Sequence, residues 1–236
     1  MVDRSMGKHR RYGGDGPDEG AWEIENERPE DVHEHPGEYW TPEAIASLLK
    51  AKGQARIQYK IAARALNGIG QHFPDFFENE SDCPLALDLG CGLGFTSDIL
   101  VEAGFTAVGV DVLVDMLSAS RTRKHVLVNA SRARYHRVLA SATALPFRDA
   151  PFTLAASISA LQWLSNPQNQ QALATELART CMPGACVAIQ QYPRSSSEMV
   201  ELGREIKQKG FSGGILVDNP ENPRKRKVFL LARKDR

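Results

Sequence analysis

The stretch that decides the fold is Leu85–Gly94, which reads Leu-Ala-Leu-Asp-Leu-Gly-Cys-Gly-Leu-Gly. An apolar segment leads into Asp88 and then into glycines at alternate positions, Gly90, Gly92 and Gly94. This pattern is typical of a buried parallel strand that turns sharply into a helix. Glycine permits positive φ and lets the backbone approach a ligand closely, and the helix N-terminus offers unpaired N–H groups. The stretch therefore predicts a ligand site at the carboxyl end of a strand.

A second signal follows 17 residues after Gly94, where Val108-Gly109-Val110-Asp111 predicts a short strand that ends in a carboxylate. In a doubly wound sheet, an acid at the end of the second strand reaches the ribose hydroxyls of a nucleotide-like ligand. Dinucleotide folds space their glycines as Gly-x-Gly-x-x-Gly to bind a pyrophosphate. Here Asp88 precedes alternating glycines, and its carboxylate would repel a pyrophosphate but suit a cationic ligand. The alternative is a glycine-rich turn that binds nothing, and the position of Asp111 argues against it.

This arrangement resembles motif I of the class I S-adenosylmethionine-dependent methyltransferases. The resemblance implies S-adenosylmethionine as cofactor, with Asp88 near its amino-acid end and Asp111 on its ribose. The residues assigned to the cofactor in this way are Asp88, Gly90, Cys91, Gly92, Asp111, Val112, Ser141, Ala142 and Ser157.

One part of the pattern departs from the family. Its members place an acidic residue shortly before a Leu-Pro-Phe sequence, but the run Ala140–Phe147 contains no carboxylate. Ser141 is the best equivalent and can accept a hydrogen bond from the adenine amino group. A neutral contact is weaker than a charge-assisted one by about 1 kcal/mol, so weaker cofactor binding is expected.

Strands and helices alternate along most of the chain. We predict strands at residues 85–89, 106–110, 135–139, 152–158, 186–190, 214–217 and 227–232, and helices at 54–66, 96–103, 114–126, 170–181 and 197–209. Such alternation favours a parallel sheet with right-handed crossovers. The last two strands have no helix between them, so we expect them to pair antiparallel. The predicted class is α/β, a Rossmann-like class I methyltransferase fold with a mostly parallel seven-stranded sheet and an antiparallel last strand.

The composition of the chain limits which other classes of protein it could belong to. The 236 residues are 42% hydrophobic and 25% charged, as in ordinary globular proteins. No run of about 18 apolar residues exists, so no membrane span is expected, and the polar N-terminus predicts a cytoplasmic protein (nuclear or nucleolar if the source is eukaryotic). The cysteines lack CxxC spacing and are expected to be reduced thiols. No metal site is expected either, although His9 and the His33-Glu34-His35 sequence invite one.

Charge is uneven along a chain whose net charge is zero. Residues 1–40 hold 5 Lys and Arg against 11 Asp and Glu, which gives −6, and residues 221–236 hold 7 against 2, which gives +5. We predict a flexible acidic N-terminal segment at 1–38 and a methyltransferase domain, with N-terminal helices, at 39–234. Residues 116–148 contain seven Arg and Lys and no carboxylate. This region either attracts a polyanion or is simply a solvated surface.

Three further segments narrow the class of substrate on which such an enzyme would act. Ser157–Leu164 reads Ser-Ile-Ser-Ala-Leu-Gln-Trp-Leu at the end of the fourth strand, and ligands of open α/β sheets bind at such ends. Gln162 can hydrogen-bond a base edge and Trp163 can stack on a ring, although Trp163 would also suit the core. Tyr192, after the fifth strand, would face the same pocket. The third segment, Gly210–Pro220, begins Gly-Phe-Ser-Gly-Gly.

Together with Ile57–Leu66, these segments resemble the small-subunit (18S-type) rRNA guanine-N7 methyltransferase family over residues 39–234. The resemblance implies methylation of a guanine N7 in small-subunit ribosomal RNA during ribosome biogenesis, with Gln162, Trp163 and Tyr192 positioning the base. Guanine N7 has an exposed lone pair and no proton, so no general base is needed and catalysis comes from positioning.

The family also implies two partners, the ribosomal RNA or pre-ribosomal small subunit and a small zinc-binding activator protein. The activator would add to an edge strand at Tyr135–Leu139, unless Arg134 and Arg137 only protect that edge. Two other functions stay open. One is a methyltransferase that acts on a small molecule or a protein, and the other is a non-catalytic ribosome-assembly factor with this fold.

Overall fold

The computed structural model describes residues 9–12, 27–78, 84–122, 134–222 and 225–236. Its strands are β1 (His9–Tyr12), β2 (Leu85–Leu89), β3 (Thr106–Asp111), β4 (Tyr135–Leu139), β5 (Phe152–Ile158), β6 (Cys181–Gln191), β7 (Phe211–Asp218) and β8 (Lys227–Lys234). Its α-helices are α1 (Pro29–Val32), α2 (Pro36–Tyr39), α3 (Pro42–Lys50), α4 (Lys52–His72), α5 (Phe95–Glu102), α6 (Val114–Thr122), α7 (Pro167–Thr180) and α8 (Ser196–Gln208). Short 3-10 turns occur at Pro74–Phe76 and Leu161–Leu164.

All strands join one sheet in the order β1-β7-β8-β6-β5-β2-β3-β4. The five strands from β2 to β6 pair parallel. The last strand, β8, lies between β6 and β7 and is antiparallel to both. The predicted α/β class, the parallel sheet and the antiparallel last strand are therefore confirmed. The edge position predicted for Tyr135–Leu139 is confirmed as well.

The sheet has one strand more than the seven predicted. Residues His9–Tyr12 pair antiparallel with β7, with His9 opposite Asp218 and Tyr12 opposite Ile215. Local sequence could not show this strand, because the free edge of β7 supplies its hydrogen bonds. Residues 13–26 lie outside the described part of the chain, so the flexibility of the whole segment 1–38 stays a prediction.

Helix boundaries follow local capping. Helix α3 begins after Thr41, whose Oγ1 accepts from the Ala44 N–H at 3.3 Å, and α7 begins after Asn166, whose Oδ1 accepts from the Asn169 N–H at 2.8 Å. Such caps satisfy N–H groups that a helix leaves unpaired. Helix α7 therefore starts three residues earlier than predicted. The end of the helix predicted at 114–126 falls partly on residues outside the described ranges.

Two apolar clusters cover the two faces of the sheet. On one face, Leu173 and Leu177 of α7 and Leu202 of α8 pack with strand residues such as Leu87. On the other face, α4 and α5 pack with strand residues, and their buried side chains include Ile61, Ala65, Ile69 and Leu100. Burial on both faces is the usual condition of parallel strands. Among the described residues, no helix has the length and apolarity that crossing a bilayer requires.

Gly213 offers a test of the β7–β8 pairing. A Cβ at this position would lie 2.1 Å from the Leu231 backbone oxygen, which cannot move without breaking the strand pair. We expect Gly213→Ala to lower the free energy of unfolding by about 3 kcal/mol because such overpacking forces the backbone to shift. Urea unfolding measures the change.

The matched control is Gly203→Ala in α8, where a Cβ would meet only the tip of Leu230 at 3.5 Å. This substitution should stabilise the protein by about 0.5 to 1 kcal/mol, because alanine favours the helix over glycine. Equal stability changes in the two variants would contradict the close β7–β8 packing.

Candidate active site

A cavity of about 420 Å³ opens at the carboxyl ends of β2, β3 and β5. This volume lies in the range of small-molecule and cofactor pockets, and its position is where open α/β sheets bind ligands. Ten of the residues predicted from the sequence line it, namely Gly90, Cys91, Gly92, Asp111, Val112, Ser141, Ala142, Gln162, Trp163 and Tyr192.

The floor of the cavity is the tight turn that joins β2 to α5. Gly90 has φ +66°, and a Cβ on it would lie 2.3 Å from the Ala160 Cβ. Gly94, with φ +83°, stands immediately before α5, and a Cβ there would meet the Tyr135 ring at 2.8 Å. Both positions therefore require glycine for conformation and for space. The turn is fixed to β3, because Gly90 and Cys91 donate their N–H groups to the Val110 carbonyl at 2.8 and 3.0 Å.

Asp111 stands at the end of β3 with its carboxylate held in one orientation. Its Oδ2 accepts from the Gly92 N–H at 2.8 Å, and its Oδ1 accepts from the Leu113 N–H at 2.9 Å. Burial raises the pKa of this carboxyl group, and the same two N–H groups oppose the shift. Each oxygen keeps acceptor capacity beyond its one backbone bond. A vicinal diol such as ribose would suit this group.

Cys91 lines the same turn but is only 6% exposed. Burial raises the pKa of its thiol well above the ordinary value. The thiol therefore stays protonated at neutral pH, and it contributes shape rather than a nucleophile.

The segment that carries Ser141 is anchored on α7. The Leu145 N–H donates to Glu176 Oε2 at 2.6 Å, and Arg179 donates to the carbonyls of Leu145 and Phe147 at 2.9 and 2.6 Å. Glu176 and Arg179 also pair with each other at 2.8 Å. These contacts fix the Leu-Pro-Phe sequence and, with it, the position of Ser141 on the cavity wall.

A chain of hydrogen bonds positions Gln162. The Ser159 Oγ donates to Oε1 of the buried Gln190 at 2.8 Å, and the Ser159 N–H donates to the Gln190 carbonyl at 2.8 Å. These bonds hold Ser159 at φ +58°, an unusual conformation for a residue with a side chain. The Ser159 carbonyl then accepts from Gln162 Nε2 at 3.1 Å. Because a carbonyl only accepts, this contact assigns the amide orientation and leaves Gln162 Oε1 as the free acceptor.

Gln162 Oε1 is buried and has no hydrogen-bond partner among the described residues. A buried acceptor without a partner costs about 1 to 3 kcal/mol. A ligand N–H group would remove this cost, so the site offers one specific acceptor beside the cavity.

Two predicted cofactor residues do not line the cavity. Ser157 is fully buried, and its Oγ donates to the Leu89 carbonyl at 2.8 Å, which ties β5 to β2. Asp88 is 1% exposed, and its Oδ2 accepts from the Ser97 Oγ at 2.5 Å. Asp88 and Ser157 lie below the cavity because β2 and β5 run in the centre of the sheet, where side chains on both faces are covered. Neither residue lines the cavity, and their contact with the cofactor stays a prediction.

Several cavity residues were missed by sequence reasoning. Pro36 and Trp40 come from the N-terminal segment, Gln54 and Gln58 from α4, and Met116 from α6. The aromatic sequence Tyr39-Trp40 and the helical pattern after it were visible, but no local pattern shows which cavity a helix will cover.

The N-terminal segment is fastened over the end of the cavity that Tyr192 and Trp163 line. Arg28 donates to the backbone carbonyls of Tyr192 and Pro193, and Arg194 forms an ion pair with Asp31. The Tyr39 ring lies 6.4 Å from the Trp163 ring between centroids. Trp163, which is half-buried, therefore belongs to the cavity wall and not to the core.

The other predicted features lie apart from the cavity. Arg137 donates to Ser120 Oγ at 2.6 Å and stacks on the Tyr135 ring at 4.0 Å, so it supports the fold. Arg123, Lys124, His125, Arg132 and Arg224 lie outside the described residues. Within the described ranges, no group of three or more His, Cys, Asp or Glu side chains is arranged to hold a metal ion.

The raised pKa of Asp88 predicts that the free energy of unfolding depends on pH. Burial is the main cause that raises the pKa of its carboxyl group from 3.8 to about 7 in the folded protein. The folded state therefore binds the proton more tightly than the unfolded state. The contribution of this group to stability is greatest below the unfolded pKa and is lost as pH rises through the folded pKa.

We expect the Asp88→Asn variant to gain stability relative to the wild type as pH rises from about 4 to about 7, because it cannot ionise. Urea unfolding of both proteins across this range measures the difference. Asp115→Asn, on the exposed side of α6, is the control and should follow the wild-type profile. Parallel profiles for Asp88→Asn and the wild type would show that Asp88 does not titrate in this way.

Comparisons with known proteins agree with this architecture. A family model described as a methyltransferase domain matches residues 87–189. The chain is 30% identical over 188 residues to the 18S rRNA (guanine-N(7))-methyltransferase of Schizosaccharomyces pombe, covering 74% of this chain and 63% of the relative. It is 30% identical over 187 residues to the 18S rRNA (guanine(1575)-N(7))-methyltransferase of Saccharomyces cerevisiae, covering 73% of this chain and 62% of the relative.

A solved structure shares the fold at low identity. The phosphoethanolamine N-methyltransferase 2 of Haemonchus contortus, in complex with S-adenosyl-L-methionine, superposes with a TM-score of 0.57 at 16% identity, covering 84% of this chain and 58% of that one. The matched part of the chain spans about three-fifths of the length of the two yeast relatives. The chain is therefore similar to the 18S rRNA guanine-N7 methyltransferases over about three-quarters of its length, and it has the class I S-adenosylmethionine-dependent methyltransferase fold.

Proposed function

We propose that this chain is an S-adenosylmethionine-dependent methyltransferase that methylates N7 of a guanine in small-subunit ribosomal RNA during ribosome biogenesis. The observation that carries the proposal is the buried, unpartnered Gln162 Oε1 in a cavity built on the methyltransferase turn. The names of the yeast relatives support the substrate class. The proposed place of action is where small subunits are assembled, which is the nucleus or nucleolus for a eukaryotic source and the cytoplasm otherwise.

The cavity residues fit the cofactor. Asp111 offers acceptors for the ribose hydroxyls at the end of β3, and the Gly90–Gly92 turn leaves room for the amino-acid part. The apolar Val112 and Ala142 suit the faces of an adenine ring, and Ser141 Oγ is the acceptor available for its amino group. Ser141 Oγ also accepts from the Thr143 N–H at 3.1 Å, which fixes its direction. As a neutral group, it binds the adenine more weakly than a carboxylate would.

Gln162, Trp163 and Tyr192 hold and orient the base in this proposal. Guanine carries N–H donors at N1 and at its exocyclic amine, on the side of the ring away from N7. If one of these groups donates to Gln162 Oε1, N7 points in the opposite direction. The rings of Trp163 and Tyr192 supply flat surfaces for stacking, which is how proteins commonly hold an unstacked RNA base.

When bound, the cofactor supplies an electrophilic methyl group on a sulfonium. Guanine N7 can attack it directly, because its lone pair is free and it carries no proton to remove. The residues of the chain therefore need only to place N7 in line and to exclude water, which is a proximity and orientation effect. The cover formed by Pro36 and Trp40 assists by enclosing the cavity.

The same cover favours a second candidate, a methyltransferase for a small molecule. Pro36 and Trp40 close over the base-binding end, and the Arg28 and Asp31 contacts fasten them there. A ribosomal guanine would have to enter unstacked from its neighbours. A non-catalytic assembly factor is the third possibility, and cofactor binding without methyl transfer to RNA would identify it.

We also propose a small zinc-binding activator as a partner at the β4 edge. The exposed edge of β4 can pair with a strand of another chain. Three exposed apolar side chains stand near its carboxyl end, since Leu139 is 57%, Val114 57% and Val112 40% exposed. Leu139 lies opposite Asp111 in the sheet, and Val112 and Val114 follow directly in the chain. A partner on this edge would cover an apolar surface beside the cofactor end of the cavity.

Gln162→Ala tests the proposed base contact. The loss of one hydrogen bond to the base should lower kcat/KM for RNA about tenfold and leave cofactor affinity unchanged. Asp111→Ala is the companion variant and should abolish measurable cofactor binding. Methyl transfer to unmodified small-subunit RNA is followed with a radiolabelled cofactor, and cleavage chemistry specific for N7-methylguanosine maps the site.

The outcomes separate the candidate functions. Label in a guanine N7 supports the proposal, whereas label only in small molecules or proteins would replace it with the second candidate. Cofactor binding without label in any fraction would indicate an assembly factor. If Gln162→Ala weakens cofactor binding and RNA methylation equally, the assigned base contact is wrong.

Leu139→Asp tests the partner edge. A charge at this exposed position should weaken binding to the activator about tenfold or more, because it would enter an apolar interface unpaired. Calorimetry with the purified activator measures the affinity. Val200→Asp on α8 is the matched control, since Val200 is also exposed, at 43%. Activator binding that survives Leu139→Asp, or that never occurs with the wild type, would rule out this edge.

A further inference from the structure

A groove lies beside the active site, between α4 and the start of β8. Its volume is about 240 Å³, and its lining includes Ile57, Lys60 and Arg64 of α4, Asp218 of β7 and Lys227 of β8. None of these residues has a part in the cofactor or base contacts proposed above.

The groove is positively charged. Arg64 donates from Nε and Nη2 to the two carboxylate oxygens of Asp218, at 2.8 and 3.0 Å. Asp218 is the one carboxylate among the described residues that line the groove, and this bidentate pair neutralises it. Lys60 and Lys227 form no ion pair with any described residue. The groove therefore presents two ammonium groups that no described carboxylate neutralises.

The groove adjoins the active site through one contact. Lys227 Nζ lies 4.9 Å from the centroid of the Tyr192 ring, and Tyr192 lines the active-site cavity. A polymer whose base occupies the cavity could therefore pass over Tyr192 and place its next backbone groups against Lys227 and Lys60.

Helix α4 extends the positive charge beyond the groove. Residues 44–74 contain five Lys and Arg and no Asp or Glu. Lys52, Arg56 and Lys60 are all exposed and follow each other at four-residue spacing on one side of α4. They span about 12 Å of helix, at about 1.5 Å per residue. A row of this length suits a chain of phosphates better than a single anion.

We propose that this cationic row and groove bind the phosphodiester backbone of the RNA strand that flanks the target guanine. The proposal rests on the proposed function, and it assigns Lys60 and Lys227 as the contacts nearest the flipped base. Ile57, 47% exposed in the groove, offers an apolar surface for a ribose or a neighbouring base. RNA is favoured over an acidic protein because the groove adjoins, through Lys227 and Tyr192, a cavity suited to one base.

The test compares two double variants of the full chain. Lys60→Ala with Lys227→Ala removes the two groove cations, and Arg204→Ala with Lys207→Ala removes two exposed cations from α8, on the opposite face of the sheet. The probe is a short single-stranded RNA with one central guanine, and fluorescence anisotropy gives its Kd at several salt concentrations. Cofactor affinity and thermal unfolding of each variant report whether the protein is intact.

We expect the groove variant to raise the Kd for RNA about tenfold and to reduce the slope of log K against log salt by about 1.4, since each phosphate contact with a single strand contributes about 0.7. The single variant Lys60→Ala should raise the KM for RNA without changing cofactor affinity. The α8 variant should match the wild type in each measurement.

Unchanged Kd and salt slope in an intact groove variant would overturn the inference, as would equal losses in the α8 variant. Polyglutamate that binds as tightly as RNA and depends equally on the groove would assign the groove to an acidic protein and also overturn it. If the groove variant loses RNA binding but the wild type methylates no RNA, the inference stands and the proposed function fails.

Discussion

The turn between β2 and α5 must pass the Ala160 segment with no side chain at position 90, because a Cβ there would lie 2.3 Å from the Ala160 Cβ. This close approach joins the cofactor-binding turn to the segment that carries Gln162 and Trp163. It also brings the Asp111 carboxylate within 2.8 Å of the Gly92 N–H. The glycine turn and the segment that carries Gln162 and Trp163, which line different parts of the cavity, therefore belong to one packed unit.

The buried polar groups below the cavity support this unit. Asp88 accepts from Ser97 under the turn, Ser157 ties β5 to β2, and Gln190 holds Ser159 in its unusual conformation. Buried polar groups with good partners rigidify a site, whereas those without partners are costly. Gln162 Oε1 and Asp88 Oδ1 are both buried without a hydrogen-bond partner among the described residues. Of the two residues only Gln162 lines the cavity, where a free acceptor is more useful to a ligand than to the fold.

Two surfaces near the site carry charge of opposite sign. The described residues 27–40 hold five carboxylates and one Arg, and the contacts of Arg28 and Asp31 fasten this part of the chain over the cavity beside Tyr192. Helix α4, directly behind this cover, is free of carboxylates and carries the cationic row. An acidic cover and a basic row on adjacent surfaces are consistent with the proposed RNA substrate, since local charge steers association even when net charge is zero.

The sequence by itself determined the parallel sheet, its antiparallel last strand and ten of the residues that line the cavity. These features depend on local patterns, namely strand and helix periodicity, the alternating glycines and the acid at the end of β3. The Gly-Phe-Ser-Gly-Gly sequence indicated only the family resemblance, and the need for glycine at 213, the 2.1 Å approach of a Cβ to the Leu231 oxygen, is visible only in the structure.

Only the tertiary structure decided the rest. It moved Asp88 and Ser157 below the cavity, because central strands are covered on both faces, and it brought Trp40, Gln54 and Gln58 to the wall from distant segments. It added the pairing of His9–Tyr12 with β7 and placed Lys60 beside Lys227 in one groove. Each of these outcomes depends on contacts between residues far apart in the chain. Local periodicity and spacing carry no information about such contacts, since packing and the free edges of the sheet select them.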